Sequence, residues 1–195
     1  MAITIGAKPE SDYTDPLGLL GDCHRRIECF LELLATITRS ARGGALSAEQ
    51  RKAMETARVY FKNAAPRHTL DEEESLFPRL RAASDPRAAA TLSLIEHLHT
   101  DHEAADEVHR EVDALVKRWL VEGVLATEMA RHLAGLLDSL SNIYQQHIAV
   151  EESQVFPLAG RVLSPAALEQ MGREMAARRG IDLSAMPRRA DESSQ

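Results

Sequence analysis

The chain has 195 residues, the size of one ordinary domain. Thirty acidic residues against 23 basic ones leave a net charge of −7, which argues against a general nucleic-acid binder. Hydrophobic residues reach 44% while aromatics are only 4%, a mixture that excludes global disorder and favours helices over a β-sandwich or barrel.

Residues 1–14 lack periodicity and read as a lead-in. Asp15-Pro16 then supplies an N-cap and a proline at the first helical position. Leu20, His24, Ile27, Leu31 and Leu34 recur at helical spacing until Gly43-Gly44 ends the first helix. A second helix opens on the capping box Ser47/Gln50, with Met54, Ala57, Phe61, Ala65, His68, Glu72 and Leu76 on its inner stripe. Asp85-Pro86 starts a third, which faces inward through Leu92, Ile95, His102, His109, Val112, Val116 and Trp119 and closes at Gly123. The fourth runs from about Thr127, burying Leu133, Leu137, Leu140, Tyr144, His147, Glu151, Val155 and Leu158. Ser164-Pro165 begins a short fifth helix ending near Gly180, and the polar residues Ser184 to Gln195 read as frayed.

These elements predict an all-α fold: an up-down-up-down four-helix bundle over residues 15–163, with a short C-terminal helix and flexible tail over 164–195. Kinks are expected at Pro66 and Pro157, and a helix end soon after Pro78. Cys23 and Cys29 would diverge by about 120° around a helix. They cannot bridge each other, and a reducing cytoplasm is the expected compartment. No export signal or membrane-spanning run of about 18 apolar residues is evident.

The most informative feature is an internal repeat. The segment His68–Pro78 aligns without gaps on His147–Pro157: Glu follows His by four, Phe by nine and Pro by ten. Upstream, His24 precedes His68 by 44 residues and His102 precedes His147 by 45. The chain therefore reads as a duplicated helical hairpin, each copy giving one lone His and one His-x-x-x-Glu. Residues four apart lie within about 40° on a helix, so His68 with Glu72, and His147 with Glu151, can each aim at one point. Four imidazoles and two carboxylates would then converge in the core. Histidine binds one metal through one nitrogen, whereas glutamate can bridge two metals. That set suits iron, is compatible with manganese or zinc, and leaves positions for an oxo or hydroxo bridge, solvent or a small gas. Without metal, repulsion and burial are expected to raise a carboxylate pKa.

With His24, His68-x-x-x-Glu72, His102 and His147-x-x-x-Glu151 in successive helices, residues 16–160 resemble the hemerythrin-like, or HHE cation-binding, family. The resemblance implies a non-haem di-iron centre bridged by Glu72 and Glu151, with one iron held mostly by each hairpin's histidines. Oxygen-carrying hemerythrins have five histidines, including a His-x-x-x-His pair in the third helix, and a bridging Asp. Here Leu98 lies four before His102 and Asp106 four after it. The ligand set is thus closer to iron-sensing and iron-centre-repair relatives.

His99, one turn before His102, is the substitute for it as a ligand, and Asp106 is a candidate supporting group. Glu152, five after His147, is the substitute for Glu151, and Glu73 and Glu152 are otherwise expected to be exposed. Tyr144 either packs in the core or bonds a metal-bound oxygen. Cys23 reads as a small buried residue, while His132, Arg178-Arg179 and Arg188-Arg189 read as solvated surface. The expected function is binding or sensing of oxygen, nitric oxide or iron. A di-iron oxidase, peroxidase or iron-centre repair factor is the alternative, and a metal-free helical interaction module the third reading. No protein partner can be named from the sequence.

Overall fold

In a computed structural model that describes residues 11–89 and 91–183, the first two long helices start on side-chain caps. The predicted tail Ser184–Gln195, Arg188-Arg189 and residues 1–10 of the lead-in lie outside the described residues. Helix α1 (Pro16–Ala41) opens on Asp15, whose carboxylate accepts the Gly18 N–H at 3.0 Å. It closes at Arg42 and Gly43, both with positive φ. A Cβ on Gly43 would lie 2.2 Å from the Leu125 carbonyl oxygen, so glycine lets two interhelix loops meet at this end. Helix α2 (Ala48–Asn63) carries the reciprocal Ser47/Gln50 capping box.

The second predicted helix is interrupted. After α2 the chain breaks step at Ala64, just before Pro66, and resumes as α3 (Ala65–Leu70). A π-helical turn follows at Asp71–Leu76, then α4 (Phe77–Ala82). The π turn sits immediately before Phe77-Pro78, and the Phe77 N–H bonds the Glu72 carbonyl five residues back. The same thing happens in the second copy. Helix α7 runs into a π turn at Glu151–Val155, where the Phe156 N–H reaches the Glu151 carbonyl ahead of Pro157. Proline lacks an N–H and its ring crowds the carbonyl four residues earlier, and a widened turn accommodates both problems. The irregularity expected at Pro157 is thus a π turn upstream of it, and Pro78 has one too.

The third predicted helix is also divided. A short helix α5 (Pro86–Ala89) precedes α6 (Leu92–Glu122). Between them the Thr91 N–H bonds the Ala88 carbonyl and its hydroxyl bonds the Arg87 carbonyl, which competes with the regular helical ladder. The break rotates the inner face: Leu92 is 39% exposed, whereas Ile95 and Leu98 are fully buried. Helix α7 (Thr127–Val150) follows Gly123, and α8 (Phe156–Val162) and α9 (Pro165–Arg178) complete the order. No strand occurs among the described residues.

α1 packs on α2 and α7, and α6 packs on the same two, closing the four-helix ring. Two apolar clusters fill it. One, around Leu34, Met54, Trp119, Leu133 and Leu137, occupies the end with the Gly43 and Leu125 loops. The other joins Leu20, Leu76, Phe77, Leu98 and Val155 to Met171 and Met175 of α9. Both methionines are fully buried, and burying such a side chain stabilises by roughly 1.5–3 kcal/mol. Along every helix the polar residues of the repeat fall between these clusters. A buried layer of His24, His68, Glu72, His147 and Glu151 therefore separates two dry ends.

Candidate metal centre

The layer is assembled from four places. His24 projects from the third turn of α1, His68 from α3, His102 from α6 and His147 from the last turn of α7. Glu72 and Glu151 lie one helical turn after their histidines, at the π turns. The carboxylate oxygens are the hubs. Glu72 Oε1 lies 3.2 Å from His68 Nε2 and 3.9 Å from His24 Nε2, while Glu72 Oε2 lies 3.2 Å from His102 Nε2. Glu151 Oε2 lies 3.0 Å from His24 Nε2 and 3.3 Å from His147 Nε2. Two groups of donor atoms close enough to hold a metal ion result: His24, His68, Glu72 and Glu151, and Glu72, His102 and His147. Glu72 belongs to both, one oxygen facing each group.

Both carboxylates are completely buried, and among the described residues their four oxygens, like His24 Nε2 and His147 Nε2, make no well-directed hydrogen bond and meet only these ion-pair contacts. Ion pairs without directed hydrogen bonds leave much of this buried polar capacity unused, and divalent cations would take it up together. The nitrogen and oxygen donor set therefore fits a pair of first-row transition-metal ions.

The ionisation of the metal-free layer differs from the expectation of a raised carboxylate. Burial pushes Glu72 and Glu151 up, but the surrounding imidazoles hold both below the usual range. The imidazoles adjust instead. Burial lowers His24 and His102, yet their carboxylate contacts raise both to about 10. His147 is raised as well, whereas burial lowers His68 to about 4 and keeps it neutral.

The outer contacts cross between hairpins. Glu73 Oε1, on the first hairpin, receives His102 Nδ1 of the second at 2.8 Å. Glu152 Oε1, on the second, receives His24 Nδ1 of the first at 3.0 Å. The phenylalanines follow the same rule: Phe156 stacks on His24 with ring centres 5.4 Å apart, and Phe77 on His102 at 6.3 Å. Each lone histidine is thus held by the Glu and Phe of the partner hairpin's repeat. An Nδ1–H bonded to carboxylate fixes the tautomer that leaves Nε2 free for a metal. Asp101 adds a longer contact to His147 Nδ1 at 3.5 Å. Its counterpart beside His24 is Cys23, and His68 Nδ1 has no partner.

A second network braces the first π turn from outside. Asp71, fully buried, accepts Arg178 Nη1 at 2.9 Å and Arg179 Nη2 at 2.7 Å. Ser75 receives Arg178 at 2.8 Å and donates to Glu174 at 2.6 Å, and Glu174 grips Arg79 through both oxygens. Arg178-Arg179 are therefore not solvated surface but the anchor of α9 on the turn that carries Glu72.

A protein-family comparison matches residues 15–159 to the hemerythrin HHE cation-binding domain. The chain belongs to the hemerythrin HHE family. It is also similar to an uncharacterised protein of Haemophilus influenzae, 27% identical over 169 residues that span 87% of this chain and 92% of that one.

Within this hemerythrin-like bundle, the six histidines and glutamates singled out by the repeat are the ones brought together. The substitutes are placed elsewhere. His99 is half exposed and pairs with Glu73 at 2.9 Å, on the outer side of His102. Glu152 is 47% exposed and touches His24 Nδ1 rather than the centre. Glu73 is only 20% exposed because two imidazoles cover it. Asp106 is exposed and lines an outer cavity. Tyr144 is 3.0 Å from His109 Nε2, so its hydroxyl is engaged one layer away from the candidate ligands. Cys23 is buried, Cys29 exposed, and both are free thiols. His132 lies on the surface, paired with Glu111. No helix among the described residues is long and apolar enough to cross a membrane.

Sequence reasoning misses the roles of Glu73 and Glu152, although a signal exists: both stand five residues after their histidine in perfect repeat register. The Asp71 network carries no such signal, because the second copy has Val150 in its place.

Proposed function

We propose that this protein holds a non-haem di-iron centre and binds or senses a small ligand, namely oxygen, nitric oxide or iron itself. The observation that carries the reading is Glu72. It is buried without a well-directed hydrogen bond, with one oxygen toward His24 and His68 and the other toward His102 and His147. In this reading His24 and His68 would hold one iron and His102 and His147 the other, with Glu72, and Glu151 beside it, as the carboxylates that would serve both. A bound iron pair supplies reducing electrons and open coordination positions for a small gas. The chain's own groups set the conditions around it. Glu73 and Glu152 keep the proton on Nδ1 of His102 and His24, and the apolar clusters above and below keep bulk water out.

A second reading, a di-iron oxidase or peroxidase, draws support from a cavity of about 640 Å³ beside α2, α3 and α6. Phe61, Pro66, Glu103 and His109 line it, and Glu103 and Pro66 lie within two residues of candidate ligands. Such a volume suits an organic substrate. Metal analysis of anaerobically purified protein, with optical spectra before and after oxygen, tests the main reading. About two irons per chain and an oxygen-dependent spectrum are expected. Folded protein that takes up no iron would leave the metal-free interaction module, and turnover of peroxide or an organic reductant would favour the enzyme.

A further inference from the structure

A second and smaller cavity of about 210 Å³, lined by none of the six candidate ligands, opens between α1, the α2–α3 junction and the residue after α9. Its volume is below the roughly 300–1,000 Å³ of clefts for drug-sized ligands, so its occupant is small. The lining is chemically one-sided. Arg26 of α1, Arg67 of α3 and Arg179 contribute guanidinium groups, Tyr13 and Tyr60 contribute phenols, and no carboxylate takes part among the described residues. In a chain of net charge −7 this runs against the overall balance. Arg26 and Arg67 make no ion pair among the described residues. Arg179 spends three N–H groups on Asp71 and the Met175 carbonyl. A guanidinium has five, so two remain.

The rest of the lining supplies donors and no negative charge. Burial raises the Tyr13 phenol, leaving it an O–H donor at neutral pH. The Tyr60 hydroxyl is 3.4 Å from the Cys23 carbonyl, a long contact that a better acceptor would displace. Cys23, the remaining polar side chain of the lining, is a buried thiol. A pocket of forked cationic donors and phenols, sized for a few heavy atoms, matches an oxyanion that accepts several charge-assisted hydrogen bonds at once.

We propose that this cavity binds a small oxyanion, a phosphate or a short dicarboxylate, through Arg26, Arg67 and Arg179 with the Tyr13 and Tyr60 hydroxyls. The site is separate from the candidate metal centre and does not depend on the metal reading. It is physically linked to it: Cys23 precedes His24, Arg67 precedes His68, and Arg179 holds the Asp71 that precedes Glu72. An anion there adds a second partner for Arg179 without removing the first.

Calorimetric titration of the full chain tests the proposal, using inorganic phosphate, succinate and, at matched ionic strength, chloride. The titrations are run on iron-loaded and metal-free protein, on Arg67→Gln and on the double variant Arg26→Gln/Arg67→Gln. Saturable binding of phosphate or succinate is expected with and without metal, with no saturation by chloride. Losing two charge-assisted partners should weaken it about tenfold or more in the double variant. The tighter of the two anions identifies the ligand class. Arg67 is exposed, so the single variant keeps its fold and is decisive through a threefold or greater loss, even should the double variant unfold. Three results would overturn the proposal: no saturation by either anion, affinity unchanged by both substitutions, or binding that vanishes with the metal while surviving the arginine changes. The last would place the anion on the metals and leave the metal reading intact.

Discussion

Removing the crossed carboxylates should weaken metal binding in a lopsided way. Glu73 and Glu152 each fix the Nδ1–H of a histidine contributed by the other hairpin, at 2.8 and 3.0 Å. Loss of such an outer partner commonly lowers metal affinity about 10- to 100-fold, or about 1.4–2.8 kcal/mol. The structure ranks the two. Glu73 is 20% exposed and holds both His102 and His99, whereas Glu152 is 47% exposed and holds His24 alone. Water can replace Glu152 more readily than Glu73. Glu73→Ala is therefore expected toward the 100-fold end and Glu152→Ala nearer tenfold, with glutamine at either position recovering part of the loss because its amide oxygen still accepts. The assay is anaerobic competition for iron(II) against a chelator of known affinity, with circular dichroism as a check on folding. The weakened site should be the one served by the opposite hairpin. Affinities within twofold of the parent in both alanine variants would refute the argument.

Asp71→Asn should cost about 2–4 kcal/mol in denaturant unfolding, less than a fully buried pair because Arg178 and Arg179 keep some contact with water; a change under about 0.5 kcal/mol would contradict it. Metal loading should release protons and strengthen as pH rises, since His24 and His102 carry protons up to about pH 10 in the metal-free protein. The same raised values mean that their stabilisation of the metal-free fold is complete below the unfolded value of about 6.5 and is lost as pH climbs through 10, which unfolding across pH 6 to 10 would detect. If the proposed centre holds, six ligands with two of them bridging would supply about eight of the roughly twelve bonds that two six-coordinate irons need, so the reduced protein should oxidise stably in air. Full recovery of the reduced spectrum after repeated removal of oxygen under vacuum would identify a reversible carrier instead.

The fold and the centre are legible in the sequence to different depths. Helix starts are written in local chemistry, as at Asp15-Pro16, Ser47 with Gln50, and Ser164-Pro165, and these caps are where the helices begin. The repeat register places His24, His68, Glu72, His102, His147 and Glu151 in one layer because 3.6-residue periodicity carries through a four-helix ring. Breaks within elements are less readable. The π turns follow from a proline acting on a carbonyl four residues upstream, which disturbs the backbone before the residue that causes it. The Thr91 break depends on a side-chain hydroxyl competing for a helix carbonyl, and it moves Leu92 off the inner face. Arg178-Arg179 look like surface in the sequence because their partner, Asp71, is more than 100 residues away in the chain.

The central claim is that two buried glutamates join two metal positions. Metal occupancy of Glu72→Ala and Glu151→Ala, measured beside the parent chain after identical anaerobic iron loading, tests it most directly. Glu72 contributes an oxygen to each donor group, and Glu151 Oε2 stands between His24 and His147. Each substitution should therefore lower occupancy at both positions together, from about two irons per chain to well under one. Both variants keeping two irons, or each losing a single iron cleanly while the other stays fully bound, would contradict the bridged centre.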